Sequence, residues 1–168
     1  MKKEFFPYPE EIIKHFKNPK GLGKLKNADA VGKAGNILCG DTLWCYIKVS
    51  EKKGKEIIKD IKMEVFGCLV AIGISSLLTQ MVKGKTIDEV LEIKKEDILK
   101  KTGPLPPIKV HCSVLALDAL HEAIYNYFLK KGKKVPDKLN KIHERVIKTL
   151  KEIEKRHREF LKLEEKLR

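Results

Sequence analysis

The chain has 168 residues, 42% of them hydrophobic, and its 36 Lys and Arg outnumber 23 Asp and Glu to give a formal net charge of +13. That apolar share excludes a disordered chain, and the length suits one domain with a good core plus an appendage. The longest apolar run, Cys68 to Leu78, is broken by Gly73, Ser75 and Ser76 and is far shorter than the roughly 20 residues that span a bilayer.

The first residues, Met1 to Pro7, have no adequate hydrophobic stretch and no cleavage pattern, so no signal peptide and a cytoplasmic location are expected. Pro9 to Phe16 has the spacing of a short amphipathic helix with Ile12, Ile13 and Phe16 on one face, ended by the breakers of Asn18-Pro-Lys-Gly-Leu-Gly23. A Gly-rich loop is expected through Gly35-Asn36. Ile37 to Val49 then alternates as a strand does, with Cys39, Asp41, Leu43, Cys45, Ile47 and Val49 on one side. Ser50 to Gly54 is a hairpin loop, and Ile57 to Phe66 the antiparallel return strand, with Ile57, Ile61, Met63 and Val65 sharing a face.

Gly67-Cys68 turns the chain into Leu69 to Val82, a helix apolar almost all round and therefore buried. Gly84 ends it, Thr86-Ile-Asp-Glu89 is a capping box for a short helix, and Lys95 to Lys101 suggests another. Pro106-Pro107 stops that segment. A short extended piece and a longer helix follow, Cys112 to Lys131, with Val114, Leu117, Leu120, Ile124 and Phe128 inward. The order of elements is that of an α+β protein. From Pro136 on, Leu139, Ile142, Val146, Ile153, Phe160, Leu163 and Leu167 follow a heptad spacing in a charged amphipathic helix of about 30 residues. The expected division is residues 1–132 and a helical extension, 133–168.

Four Cys in a cytosolic chain point to a metal or to catalysis rather than to a disulfide framework. Cys39 and Asp41, two apart on the expected strand, project from one face. Cys68 lies at a strand–helix turn, and His111-Cys112 at a helix start, where the macrodipole favours a thiolate. The pair reads as metal ligands, as a nucleophile with its base, or as chance. All of these residues lie at element ends, from which a shared site can be reached without burial in the core. Three thiolates with one imidazole or carboxylate suit zinc or an iron–sulfur cluster. Cys45, mid-strand among apolar neighbours, reads as a small core residue. His15, His121, His143 and His157 read as solvated or interfacial, and Ser75 and Ser76 as bonding their own helix backbone.

Tyr8-Pro-Glu-Glu, His15-Phe-Lys-Asn-Pro19, Cys39-Gly-Asp41, Phe66-Gly-Cys68, Gly84-Lys85-Thr86 and Leu105-Pro-Pro-Ile-Lys-Val-His-Cys-Ser113 together resemble the IscU/NifU N-terminal family of iron–sulfur cluster scaffolds, in order from about residue 7 to residue 130. The resemblance implies an α+β fold in which a three-stranded, mostly antiparallel sheet packs against a layer of helices. It implies a scaffold rather than an enzyme, holding a transient 2Fe–2S cluster on Cys39, Cys68 and Cys112, with Asp41 and His111 as fourth ligand or tuning groups, and zinc in the isolated protein. The implied partners are a cysteine desulfurase, apo iron–sulfur proteins, and a DnaK-type chaperone with its J-protein that grips Leu105, Pro106, Pro107, Ile108 and Lys109. Leu69, Val70, Gly73 and Ile74 depart from the family pattern beside Cys68, Cys45 is extra, and residues 133–168 match nothing in the family.

Two other readings come from different classes. The SufU branch of the same superfamily is a zinc-dependent sulfur acceptor, but it carries an insertion before the third Cys and lacks the His, whereas His111 is present here. A nucleic-acid-binding module rests on charge alone. The basic residues are mostly Lys interspersed with Glu and lack aromatic interleaving, which argues against it. The C-terminal stripe is expected to contact the domain or a second copy of the chain.

Overall fold

A computed structural model describes residues 8–167, and side chains through 166; Met1 to Pro7, Arg168 and the Leu167 side chain lie outside the described residues. Helix α1 (Glu10–Lys17) is followed by β1 (Ala30–Gly35), β2 (Thr42–Lys52) and β3 (Lys55–Phe66), an antiparallel sheet in the order β1-β2-β3. Helices α2 (Leu69–Val82), α3 (Ile87–Leu91) and α4 (Lys95–Thr102) come next. A 3-10 turn at Pro107–Lys109 then leads into α5 (His111–Lys130), and α6 (Asp137–Leu167) ends the chain. No helix among the described residues is long and apolar enough to cross a membrane.

Leu43, Cys45 and Ile47 of β2 and Ile61 and Met63 of β3 are buried, with α2 and α5 packed on the sheet. Cys45 is therefore the core residue its neighbours suggest. The face of β3 changes at a bulge: Lys48 pairs with Asp60 but Val49 with Ile58, leaving Lys59 unpaired. Ile58, not Ile57, is the buried residue.

Strand β1 lies where a loop is expected. Its glycines mask the alternation, yet one of them makes the packing. A Cβ on Gly32 would come within 2.1 Å of the Ala123 nitrogen and 2.3 Å of the Ala119 carbonyl oxygen, so α5 lies directly on the strand backbone. Asn126 of α5 also donates to the Val31 carbonyl at 2.8 Å. This approach buries α5 beyond the expected stripe, taking in Leu115, Ala116, Ala119 and Ala123.

Other expectations are corrected at the helices. On α1, Ile12 and His15 face inward and Phe16 outward. His15 Nδ1 is 2.8 Å from Ser76 Oγ, and Lys20 N–H donates to the same oxygen, so Ser76 bonds across elements rather than along its own helix. Gly73 permits the contact, since a Cβ there would meet the Ile12 carbonyl oxygen at 2.9 Å. The capping box at Thr86 and Glu89 forms as expected. Helix α6 packs on α5 and β1 through Leu139 and Val146.

Candidate metal centre

The register of the sheet decides where the ligands go. Gly35 pairs with Thr42 and Thr42 with Phe66, so β1 ends, β2 begins and β3 ends at one edge. The β1–β2 loop and the β3–α2 junction therefore emerge together, and α5 starts beside them.

Cys39 and Asp41 sit in that loop, not on a strand. Asn36 builds the loop: its Oδ1 accepts from the Leu38 and Cys39 amides at 2.8 and 3.3 Å, its N–H donates to the Asp41 carbonyl, and its carbonyl accepts from Gly40. Gly40 takes φ +73°, the left-handed region that suits glycine. The turn ends the alternation and leaves Cys39 exposed and Asp41 buried. Nothing in the sequence marks Asn36 as a site-building residue beyond an Asn beside a Gly in a loop, where the amide side chain folds a turn.

Cys68 is the N-cap residue of α2 and half-exposed. His111 and Cys112 open α5 behind a 3-10 turn in which Lys109 N–H bonds the Pro106 carbonyl at 2.7 Å. The stretch after the prolines is thus a turn, not an extended piece, because Pro107 has the φ that starts a helix. Cys112 is fully buried, against the expectation that the ligands escape burial.

The five residues nevertheless converge. His111 Nε2 lies 3.2 Å from Cys39 Sγ and 3.6 Å from Cys112 Sγ, and Cys68 Sγ lies 4.0 Å from Cys112 Sγ. They form two overlapping triplets of donor atoms, Cys39-Asp41-His111 and Asp41-Cys68-Cys112, each within 4.8 Å. Asp41 belongs to both. Its Oδ2 is buried without a hydrogen-bond partner, an expensive state for a carboxylate unless a cation answers it. Gly67 makes room for that carboxylate, as a Cβ there would lie 2.8 Å from Asp41 Cγ.

Burial pushes the Cys112 thiol far above its usual range, with Cys68 nearby adding to the effect; burial also raises Cys39. The macrodipole of α5 therefore does not decide the state of Cys112. A bound cation must displace thiol protons, which couples uptake to pH. The Lys109 ammonium sits against Cys68, and that contact raises the lysine. Three large apolar side chains stand in water around the thiols, one from each contributing segment: Leu38 (91% exposed), Phe66 (74%) and Ile108 (77%).

Two of the remaining histidines differ from expectation, His15 and His121 being buried; His143, hydrogen bonded to Glu122 of α5 at 2.9 Å, is interfacial and His157 is exposed, as expected. Ser75 Oγ has no partner. Their burial follows from packing between distant elements, which local spacing does not carry.

Comparison with known proteins places these residues in context. Residues 7–134 match the family described as NifU-like N terminal domain. An iron-sulfur cluster assembly scaffold protein IscU of Archaeoglobus fulgidus is 48% identical over 126 residues, covering 75% of this chain and 80% of that one. Among solved structures, a nitrogen-fixing NifU-like N-terminal protein from Brucella abortus superposes with TM-score 0.56 at 25% identity, covering 72% of this chain and 94% of that one. A cluster assembly scaffold of the SUF system from Fervidobacterium islandicum gives TM-score 0.53 at 26% identity, covering 70% and 96%.

Proposed function

Because the chain belongs to the NifU-like N-terminal domain family, we propose that it is a scaffold on which a transient 2Fe–2S cluster is assembled and then handed to apo-proteins. The observation that carries this reading is the convergence of Cys39, Asp41, Cys68, His111 and Cys112 at one end of the sheet. Residues 1–132 form the scaffold unit and residues 133–168 an added helix. The protein acts in the cytoplasm as a carrier rather than as an enzyme.

Cys39, Cys68 and Cys112 supply thiolates, and Asp41 and His111 offer exchangeable harder donors. A permanent centre uses four thiolates in a closed shell; three thiolates and a weaker donor leave one labile corner. Cys39, exposed on its loop, suits the receipt of sulfur. A thiolate attacks the outer sulfur of a persulfide on a cysteine desulfurase, a new S–S bond forms, and the donor leaves as its thiolate. Release of that sulfur as sulfide takes two electrons from a separate reductant. Leu105 to Lys109 serve as the grip for a DnaK-type chaperone with its J-protein, with Ile108 presented to solvent. Lys109 also faces Cys68, so assembly and chaperone-assisted transfer need separate assays in Lys109→Ala, with the larger loss expected in transfer.

Anaerobic reconstitution with iron, cysteine and a desulfurase tests the reading. The expected result is a visible cluster absorption, lost in Cys39→Ser, Cys68→Ser and Cys112→Ser. Full absorption in all three variants overturns it. The likeness to a SUF-system scaffold favours a second reading, a zinc-dependent sulfur acceptor using the same donors. A protein that holds zinc and takes up persulfide, yet builds no cluster, supports that one instead.

A further inference from the structure

Helix α6 has two halves of different character. From Leu139 to Ile153 its apolar residues lie against α5 and β1: Leu139 and Val146 are buried, and Ile142, Leu150 and Ile153 are half-buried. From Glu154 to Lys166 every residue is exposed. At 1.5 Å per residue this half extends for about 20 Å clear of the domain. It carries Phe160 and Leu163, 56% and 57% exposed, on the same stripe that docks the first half. Leu139, Val146, Ile153 and Phe160 recur every seven residues, and Leu163 follows Phe160 by three, so the coiled-coil seam runs on past the end of the domain. Arg156 interrupts the seam, but its Nε turns back to Glu152 of its own helix at 3.2 Å.

We propose that the stripe around Phe160 and Leu163 is covered by the same stripe of a second copy of this chain, the two helices running antiparallel. The flanking charges select this occupant and this direction. Glu152, Glu159 and Lys166 line one side of the stripe, and His157 and Glu164 the other. With Phe160 opposite the second copy's Leu163, Glu159 meets the second copy's Lys166 and His157 meets its Glu164, each pair occurring twice by symmetry. A parallel pair would instead set Arg156 against Arg156 and Glu159 against Glu164. A lipid surface fits less well, because the exposed half carries Glu154, Glu159, Glu164 and Glu165 among its basic residues. The overlap is about twelve residues, so the dimer is weak and reversible. This surface lies outside the cluster site, and the proposal does not depend on the scaffold reading.

Sedimentation equilibrium of the full chain over two decades of concentration tests it. The expected result is a monomer–dimer equilibrium that disappears in Phe160→Asp/Leu163→Asp while helix content and the melting of the domain are kept. Glu159→Lys should weaken the dimer about fivefold, and Glu159→Lys/Lys166→Glu should restore it. A monomer at every concentration overturns the proposal, as does a dimer that survives Phe160→Asp/Leu163→Asp. A dimer strengthened by Glu159→Lys overturns the antiparallel arrangement. A monomer that co-sediments with phosphatidylglycerol vesicles through Phe160 assigns the stripe to lipid and overturns it too.

Discussion

Two parts of the molecule bury carboxylates, and they answer them in opposite ways. Between α5 and α6 the carboxylates are paired: Glu122 with His143, whose ring stacks on Tyr125 at 3.9 Å, and Asp118 with Arg145, while the buried His121 ring beside them keeps both nitrogens without a partner. At the end of the sheet, Asp41 keeps a buried oxygen without a donor amid three thiols and an imidazole, rimmed by side chains standing in water. The first arrangement holds a helix in place. The second is incomplete by itself, and in the proposed reading a ligand completes it. Cysteine makes the same contrast within a few residues, since Cys45 is a sealed core residue and Cys39 an exposed donor.

The largest effect expected is loss of the cluster. Cys68→Ser should lower reconstituted visible absorption by more than tenfold while Cys45→Ala keeps it; equal losses would erase the distinction between the two cysteines. Next is Gly32→Ala, which forces α5 off β1 and should cost about 3–5 kcal/mol in urea unfolding. His143→Ala leaves Glu122 buried without its partner and should cost about 2–3 kcal/mol, without changing cluster absorption per folded molecule.

The smallest effect is a change of slope with pH. Burial lifts the Asp118 carboxyl to about 6 despite Arg145, and burial lowers the His121 imidazole to about 4 with Lys138 and Arg145 helping. For Asp118 the folded state binds more protons than the unfolded state between roughly pH 4 and 6, so its contribution to stability grows on acidification. For His121 the unfolded state binds more between roughly pH 4 and 6.5, so its contribution is lost on acidification. The two oppose each other across nearly one window. Asp118→Asn removes the first, and its stability should fall by on the order of 2 kcal/mol more than the parent's between pH 6.5 and 4, measured by urea titration. Equal slopes in the two proteins would show that the α5–α6 interface does not tune stability this way.

Much of this was legible in the sequence where chemistry is local. The alternation of Leu43, Cys45 and Ile47 marks their strand, Thr86 and Glu89 mark a cap, and the motifs around Cys39, Cys68 and Cys112 mark residues that the fold brings together. What escaped is what depends on contact between distant segments. Strand β1 is hidden because Gly32 and Gly35 carry no pattern, though Gly32 is there for α5. The burial of His15 and His121 is likewise set by neighbours far away in the chain, whereas the Asn36 turn and the Lys59 bulge are local features that carry no hydrophobic alternation to mark them.

The donors also lie far apart along the chain. Cys68 and Cys112 are separated by 44 positions, and Cys39 and His111 by 72. Anything held across them recognises only the native state, because the unfolded chain scatters its ligands. Cargo of this kind behaves as a reversible cross-link between the sheet end and α5: filling the site raises the unfolding free energy as RT ln(1 + [L]/Kd), and emptying it returns that free energy. Loaded and empty chains should therefore differ in how readily the sheet end opens, so that handing over the cargo also loosens the carrier.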